Sequence, residues 1–250
     1  MATITAAVLG AGSRGTNYSN YSLLAPEELK IVAVAEPRED RRTGFAEKFS
    51  VPAENCFESW EELLAKPKLA DALFVCTLDE QHMVPAMKAL EKGYHVLLEK
   101  PMSNREEECV AIEAAARKSG KVLTVCHVLR YTAFYQTLKR LIDEGAVGEI
   151  TNITQIENVA YWHQAHSYVR GNWRDSEETS PMILAKCCHD ADILLWLSGK
   201  DCRKVHSFGS LRHFVPENAP EGAPARCLDG CPHAESCIYY APKIYPAGKT

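Results

Sequence analysis

Long hydrophobic runs are missing from this 250-residue sequence. Its longest apolar stretch, residues 183–197, is interrupted by four polar residues: Lys186, His189, Asp190 and Asp192. A helix that crosses a bilayer needs roughly 18 apolar residues without such charges. The opening residues, MATITAAVLGAG, also lack the basic flank and the cleavage site of a signal peptide. We therefore expect a chain that has no membrane span and lies in the cytoplasm.

An excess of positive charge is missing too. Lys and Arg number 28 against 33 Asp and Glu, for a formal net charge of -5, so the chain lacks the basic surface that attracts nucleic acid. With 46% hydrophobic and 24% charged residues, the composition also excludes disordered and fibrous proteins. We expect a globular protein that does not bind nucleic acid.

The first half of the sequence alternates short apolar runs with helical patterns. Uninterrupted apolar runs of this length are typical of strands covered on both faces. They cover residues 4–9, 31–35, 72–76, 95–98 and 122–126. Two capping boxes, Ser59 with Glu62 and Ser103 with Glu106, predict where two of the intervening helices begin. This order predicts a doubly wound α/β domain of the Rossmann type, with a parallel sheet, over residues 1–126.

The turn after the first predicted strand has a glycine pattern, GAGSRG, whose predicted cofactor-binding residues are Gly10, Gly12, Ser13, Arg14 and Gly15. In dinucleotide-binding loops the first glycine permits a tight turn, the second admits the pyrophosphate, and the third packs helix on strand. Glu36 ends the second predicted strand about 20 residues later, as expected of an acid that binds the ribose. The pattern therefore predicts bound NAD. Because Arg38, Arg41 and Arg42 follow at once, NADP stays possible.

Ligands of open parallel sheets bind at the carboxyl ends of the strands. At the ends of the later predicted strands, the polar residues are Thr77, Asp79, His82, Glu99, Lys100 and His127. Lys100 is the most informative because it interrupts an apolar strand and precedes a proline; the alternative is a lysine that extends into solvent. We predict that all of these except His127 line the cofactor site. For His82 and His127, roles in packing or at a helix start are as well supported as ligand binding.

An ordered set of motifs resembles one known family. The motifs GAGSRG, AEP, CTLDEQH, LLEKP, LKRLIDEGAVGEI and KCCHDADILLWLSG together resemble the Gfo/Idh/MocA oxidoreductases over about residues 4–212. The resemblance implies that Lys100 and His189 are the catalytic lysine and histidine, beside the nicotinamide and a sugar or cyclitol substrate. Trp173 and Arg174 resemble the Trp-Arg pair that precedes the catalytic helix in many relatives, so we expect both near the cofactor. The resemblance also implies a homo-oligomer.

The sequence departs from the family pattern at two positions. The family often has an aspartate four residues before the catalytic histidine, where this chain has Ala185, followed by Lys186. A frequent asparagine after the fifth strand is replaced by Val128. Because Lys186 and His189 share one face of the predicted helix, Lys186 is a third catalytic candidate; it either substitutes for the missing group or indicates a different substrate. Asp192 could orient His189, pair with Lys186 or face solvent.

These residues favour the reversible oxidation of an alcohol. His189 is the natural base for the hydroxyl proton, while Lys100 would polarise the substrate oxygen as hydride moves to the nicotinamide. We predict an NAD(P)-dependent dehydrogenase that acts on a CH–OH group of a sugar, sugar derivative or cyclitol. Two alternatives stay open: a glycoside-cleaving enzyme that oxidises its substrate transiently and then eliminates, and an NAD-binding sensor without catalysis.

Residues 127–250 predict the start of a second, α+β domain. The predicted elements are helices at residues 134–144 and 182–197 and strands at residues 150–159 and 205–212. Two strands are too few for a stable sheet. We therefore expect the chain to be the amino-terminal portion of a longer protein, ending in a cysteine-rich insertion at about residues 216–250.

Three cysteines lie close together in that insertion: Cys227, Cys231 and Cys237. Thiolates are preferred ligands of structural zinc, which takes four ligands tetrahedrally. The spacing lies outside the usual paired-cysteine arrangement, and free thiols or a disulfide formed during handling are equally well supported. We predict a structural zinc site that is separate from the catalytic residues.

Overall fold

The computed structural model describes residues 2–245. Among these residues, six parallel strands form one sheet in the order β3-β2-β1-β4-β5-β6. The strands are β1 (Ile4–Leu9), β2 (Leu29–Ala35), β3 (Cys56–Phe57), β4 (Ala72–Val75), β5 (His95–Leu98) and β6 (Leu123–Val125). The order of the strands reverses between β1 and β4, which creates the crevice where sheets of this type bind ligands.

Helices cover both faces of the sheet and continue beyond it. They are α1 (Ser13–Ser19), α2 (Tyr21–Leu24), α3 (Glu39–Phe49), α4 (Trp60–Ala65), α5 (Met83–Glu91), α6 (Glu106–Ser119), α7 (Ala133–Asp143), α8 (Tyr161–Gln164), α9 (Met182–Ser198) and α10 (Ala241–Ile244). Short turns of other helix types include a 3₁₀ turn at Val128–Tyr131 and a π turn at Ala165–Val169. Within residues 2–245, none of the helices has the length and apolar character needed to cross a membrane.

The sheet is buried on both faces because its strands are largely apolar. Along β1, Ala7 and Leu9 lie in one core cluster, and Ala6 and Val8 lie in the other, as the two-residue repeat of a strand requires. All four side chains are fully buried. The prediction of a doubly wound Rossmann sheet is confirmed. Strand β3 is an addition, because its two residues are too few to produce a sequence pattern.

Helices α4 and α6 begin in different ways. At α4 the predicted cap is present: the Ser59 hydroxyl accepts a hydrogen bond from the Glu62 N–H at 3.2 Å. At α6 the predicted capping box is wrong, because the N-cap is Arg105. The Ser103 hydroxyl instead accepts from the Arg105 N–H at 3.1 Å and donates to Glu108 at 2.6 Å. Ser103 therefore closes the turn that leads into the helix.

The two strands predicted in the second half are wrong. The helices predicted there are confirmed as α7 and α9, but the described residues after 126 form no strand. Apolar side chains of the two segments stay exposed, as Ile156 (72%) and Phe208 (97%) do. A strand needs a neighbouring strand for its backbone hydrogen bonds, and within residues 127–245 neither segment has one. The part predicted as α+β is helical and irregular in this structure.

Candidate active site

The glycine loop between β1 and α1 uses its glycines for different purposes. A Cβ on Gly10, which has φ +89°, would lie 2.5 Å from the Cys76 carbonyl oxygen, and a Cβ on Gly15 would lie 2.1 Å from the Gly10 carbonyl oxygen. Both positions therefore need glycine for packing. A Cβ on Gly12 would meet only the Arg41 guanidinium, at 3.9 Å. The backbone at Gly12 is thus open to a ligand, as a dinucleotide pyrophosphate requires.

The Ser13 and Arg14 side chains, both in α1, are exposed beside this open backbone. Helix α1 begins without a side-chain cap, so its first N–H groups are free of such a partner within the described residues. Uncapped N–H groups at a helix start are suited to negatively charged oxygens. The loop, as folded, fits the pyrophosphate of a dinucleotide.

Glu36 joins the glycine loop to the end of β2. The side chain is only 5% exposed. Its Oε2 accepts a hydrogen bond from the Ala11 N–H at 2.8 Å, and its Oε1 accepts from the Arg38 N–H at 3.1 Å. A carboxylate has about four acceptor positions, so these two hydrogen bonds leave about two of them unused. The sequence pattern located Glu36 but did not predict that it also holds the loop.

Lys100 connects the end of β5 to α9. Its Nζ donates a hydrogen bond to the Ala185 carbonyl oxygen at 3.0 Å. Directly before it, buried Glu99 accepts a hydrogen bond from the Lys100 N–H at 2.6 Å and another from the Tyr18 hydroxyl of α1. Burial and this contact raise the pKa of Tyr18. Glu99 therefore ties the glycine-loop helix to the backbone that carries Lys100.

His82 lies in the core beneath the site. It is fully buried, with Nδ1 2.9 Å from the Pro101 carbonyl oxygen and Nε2 3.2 Å from the Thr77 carbonyl oxygen. A neutral imidazole has only one N–H and so can donate to one of these two oxygens at a time. In this arrangement His82 holds together the loops that follow β4 and β5. Its predicted role as a direct cofactor ligand stays a prediction.

Asp79 and Trp173 meet although they are far apart in sequence. Asp79 is 4% exposed, and its Oδ2 accepts a hydrogen bond from the Trp173 indole N–H at 2.9 Å. The chain turns towards Asp79 at Gly171, where a Cβ would lie 2.3 Å from the His166 carbonyl oxygen. This contact brings the segment that precedes α9 to the end of β4. Arg174 is exposed and bonds only weakly to the Gly171 carbonyl oxygen, at 3.4 Å.

Helix α9 presents His189 and Lys186 beside Lys100. Burial lowers the pKa of His189 to about 4, with smaller contributions from the positive charges of Lys100 and Lys186 and from His127. Burial also lowers the pKa of Lys186, and the charge of Lys100 lowers it further. His189 is therefore neutral at pH 7 and able to accept a proton. Its Nδ1 is buried and has no hydrogen-bond partner within the described residues.

His127, which follows β6, is a site residue whose role the sequence left open. Its ring meets the His189 ring edge to face, with 5.9 Å between the centroids and an interplanar angle of 86°. Burial lowers the pKa of His127, and its Nδ1 also lacks a partner in the described part of the chain. Two further buried oxygens, Ser180 Oγ and Asp190 Oδ2, also have no hydrogen-bond partner within residues 2–245. Such groups are costly unless a ligand or water binds them.

Asp192 does not orient His189, and none of the three interpretations of its role from the sequence is right. Its Oδ2 accepts a hydrogen bond from the Arg130 Nε at 2.7 Å, within a two-point ion pair. The Arg130 guanidinium also lies 5.6 Å from the centre of the Trp196 ring. Arg130 can reach Asp192 only because the 3₁₀ turn after β6, which contains Arg130, packs on α9. The acid therefore fastens α9 to the sheet domain.

The cysteine-rich segment does not form a metal site among the described residues. Cys227, Cys231 and Cys237 are free thiols, and within residues 2–245 no cluster of three or more His, Cys, Asp or Glu side chains could hold a metal ion. The Nε2 of nearby His233 lies 2.8 Å from the Glu221 carbonyl oxygen. The geometry therefore gives no support to the predicted zinc site.

Comparison with known proteins gives two family matches. The model described as "Oxidoreductase family, NAD-binding Rossmann fold" matches residues 4–127, and the "GFO/IDH/MocA C-terminal domain" matches residues 135–225. The chain is 29% identical to the 2,7-anhydro-N-acetylneuraminate hydratase of Escherichia coli (strain K12), over 62% of this chain and 41% of that protein. It is 28% identical to the scyllo-inositol 2-dehydrogenase (NADP(+)) IolW of Bacillus subtilis (strain 168), over 71% of this chain and 47% of that protein.

Among solved structures, the fold is similar to that of scyllo-inositol dehydrogenase from Lactobacillus casei with bound cofactor NAD(H) and scyllo-inositol. The TM-score is 0.68 and the identity 21%, over 80% of this chain and 57% of that chain. At this identity the similarity concerns the fold alone. The chain spans about half the length of the curated relatives it matches.

Proposed function

The chain belongs to the Gfo/Idh/MocA oxidoreductase family, as its motifs predicted, and we propose that it forms the cofactor site and the catalytic centre of an NAD-dependent dehydrogenase. The substrate class we propose is a sugar, sugar derivative or cyclitol with a free hydroxyl group. One observation carries the proposal: Lys100, at the end of β5, bonds to the backbone of α9 one turn from neutral His189. Lys100 and His189 both lie at the end of the sheet where the glycine loop is found.

NAD, when bound, supplies the carbon that accepts or returns a hydride. Gly12 and the start of α1 would hold its pyrophosphate, and the two free acceptor positions of Glu36 would bind ribose hydroxyls. The Arg41 guanidinium next to Gly12 supports NADP as a second possibility, because a 2′-phosphate is a dianion that arginine binds well. Thr77, Trp173 and Arg174 would complete the nicotinamide end of the site.

His189 and Lys100 would divide the work on the substrate hydroxyl. His189, which is neutral at pH 7, would accept the proton from the hydroxyl oxygen, while the carbon that bears this oxygen would lose a hydride to bound NAD and become a carbonyl carbon. Lys100 donates a hydrogen bond to the substrate oxygen and stabilises the negative charge that builds there. In the reverse direction, protonated His189 returns the proton to the alkoxide oxygen. Charge and protons balance in both directions.

A transient oxidation is the second candidate function. The similarity to a protein named as a hydratase favours it, because elimination or addition beside a temporarily oxidised carbon leaves no net NADH. The third possibility, an NAD-binding sensor, would bind cofactor and transform nothing. The cytoplasmic location and the homo-oligomeric state stay predictions.

The test uses the whole chain with NAD or NADP and a panel of sugars, cyclitols and glycosides. Net NADH formation, followed by its near-ultraviolet absorbance, supports the dehydrogenase, and release of an aglycone without NADH supports the second candidate. Lys100→Ala and His189→Ala should each abolish turnover while NADH still binds. Exposed Lys118 provides the matched control, Lys118→Ala. NADH binding without any turnover across the panel would refute both enzymatic proposals.

A further inference from the structure

Two lysines face the same part of the candidate active site. Lys100 reaches the Ala185 carbonyl oxygen at 3.0 Å, and Lys186 is the next residue along α9. After burial, the charge of Lys100 is the largest cause that lowers the pKa of Lys186. Lys100 thus bonds to the peptide group that joins Ala185 to Lys186, which brings the two positive charges near each other. Repulsion between like charges is strong where side chains are partly shielded from water.

The surrounding charges do not compensate for this pair. None of the ion pairs formed within residues 2–245 includes Lys100 or Lys186. Arg14 adds a third positive charge that lowers the pKa of Lys186, and Glu157 alone among nearby acids raises it. Burial lowers the pKa of His163, and the charges of Lys186 and Lys100 lower it further. The site thus carries three positive side chains, Lys100, Lys186 and Arg14, none of which forms an ion pair within the described part of the chain.

One position of α9 explains why the two lysines have no acidic partner there. Ala185 is 2% exposed and stands where an acidic side chain would be one turn from His189. It can offer Lys100 only a neutral carbonyl oxygen. An anionic group on a bound ligand would supply the negative charge that position 185 lacks.

We propose that the substrate of this site carries an anionic group, a carboxylate or a phosphate, which binds to Lys186 beside the hydroxyl that reacts at Lys100 and His189. This rests on the proposed function and narrows its substrate class to acidic sugars or cyclitols. An ammonium group binds such anions through short, charge-assisted hydrogen bonds. Lys186 then determines specificity, and Lys100 stays free to act on the reacting oxygen.

A bound anion would also assist the base. The positive charges of Lys100 and Lys186 contribute to the low pKa of His189. An anion beside Lys186 offsets part of that charge and so favours the imidazolium that forms when the hydroxyl proton is taken. An anionic group on the substrate would therefore strengthen binding and also favour proton transfer to His189.

The experiment compares matched sugars on the full chain with bound NADH or NAD. The probes are glucose, glucuronate and glucose 6-phosphate, with galactose and galacturonate as a second series. Equilibrium binding is measured by calorimetry, and turnover is measured separately. We expect at least one acid to bind about 10- to 100-fold more tightly than its neutral parent, the range of a charged hydrogen bond. Preference for the phosphate or for the carboxylate identifies the anion.

Variants at position 186 complete the test. Lys186→Met should remove most of the acid-over-neutral ratio, Lys186→Arg should restore it, and Lys118→Met should leave it unchanged. Equal binding of acids and neutral parents by the wild type overturns the inference. So does a Lys186→Met variant whose main loss is NADH affinity, because Lys186 would then serve a cofactor phosphate. If acids bind through Lys186 and no sugar is oxidised, the proposed function fails while the anion site stands.

Discussion

Two glycines of the dinucleotide-binding loop should respond in opposite ways to alanine. A Cβ on Gly15 would lie 2.1 Å from the Gly10 carbonyl oxygen and 3.1 Å from a Val8 methyl carbon. Real Cβ contacts essentially never fall below 3.0 Å. Helix α1 would therefore have to move by about 0.9 Å, the difference between this limit and the 2.1 Å contact with Gly10. Both neighbours belong to the buried start of the sheet domain. We expect Gly15→Ala to cost about 1–3 kcal/mol of the free energy of unfolding, the usual cost of overpacking.

Gly12→Ala should leave the fold intact and impair the cofactor site. Gly12 has φ -75° and ψ -165°, which alanine adopts without strain, and its Cβ would meet no atom closer than 3.9 Å. We expect stability within about 1 kcal/mol of the wild type, in the direction of a small gain. The added methyl group would occupy the space needed by the pyrophosphate. NADH affinity should fall at least about 10-fold, equivalent to about 1.4 kcal/mol.

The assay is urea unfolding, followed by circular dichroism, combined with calorimetric titration of NADH. Gly44→Ala, in the exposed interior of α3 with no atom near its Cβ, is the matched control. It should stabilise the fold by roughly 0.5–1 kcal/mol and leave NADH affinity unchanged. Our interpretation of the loop is refuted if Gly12→Ala binds NADH as the wild type does, or if Gly15→Ala unfolds at the same urea concentration.

Three further predictions concern the contacts around α9 and the second half. Trp173→Phe removes the donor to the buried Asp79 carboxylate and should cost about 1–3 kcal/mol in urea unfolding; an unchanged midpoint would contradict this contact. His189 should titrate by NMR near the lowered pKa of about 4. Its pKa should rise in Lys186→Met because removing a positive charge favours the imidazolium. A wild-type midpoint near 6.5 would disprove that burial and the neighbouring lysines lower this pKa. Asp192→Asn should lower stability by about 1–3 kcal/mol and leave the His189 titration in place, whereas a shifted titration would mean that Asp192 acts on His189 after all.

The parallel sheet and its glycine loop could be predicted from the amino-acid sequence alone. The bounds of β1 and β5 coincide with the apolar runs predicted at residues 4–9 and 95–98. The requirement for glycine at Gly10 and Gly15 follows from a short loop between a buried strand and a helix. These features depend on a few consecutive residues, whose burial pattern and backbone conformations are local properties. Local patterns also made Glu36 and Lys100 candidate site residues, whereas His189 became a candidate through the resemblance to the family.

How those residues are arranged around one site depends on long-range packing. Arg130 and Asp192 are 62 residues apart and Lys100 and Ala185 are 85 apart, and no local pattern pairs them. Residues 150–159 are predicted as a strand but form none, because a strand also depends on a hydrogen-bonded neighbour from elsewhere in the chain. The low pKa of His189 likewise arises from burial and from charges on other elements. Chemistry at this site depends on distances between remote groups, and packing of the whole chain sets those distances.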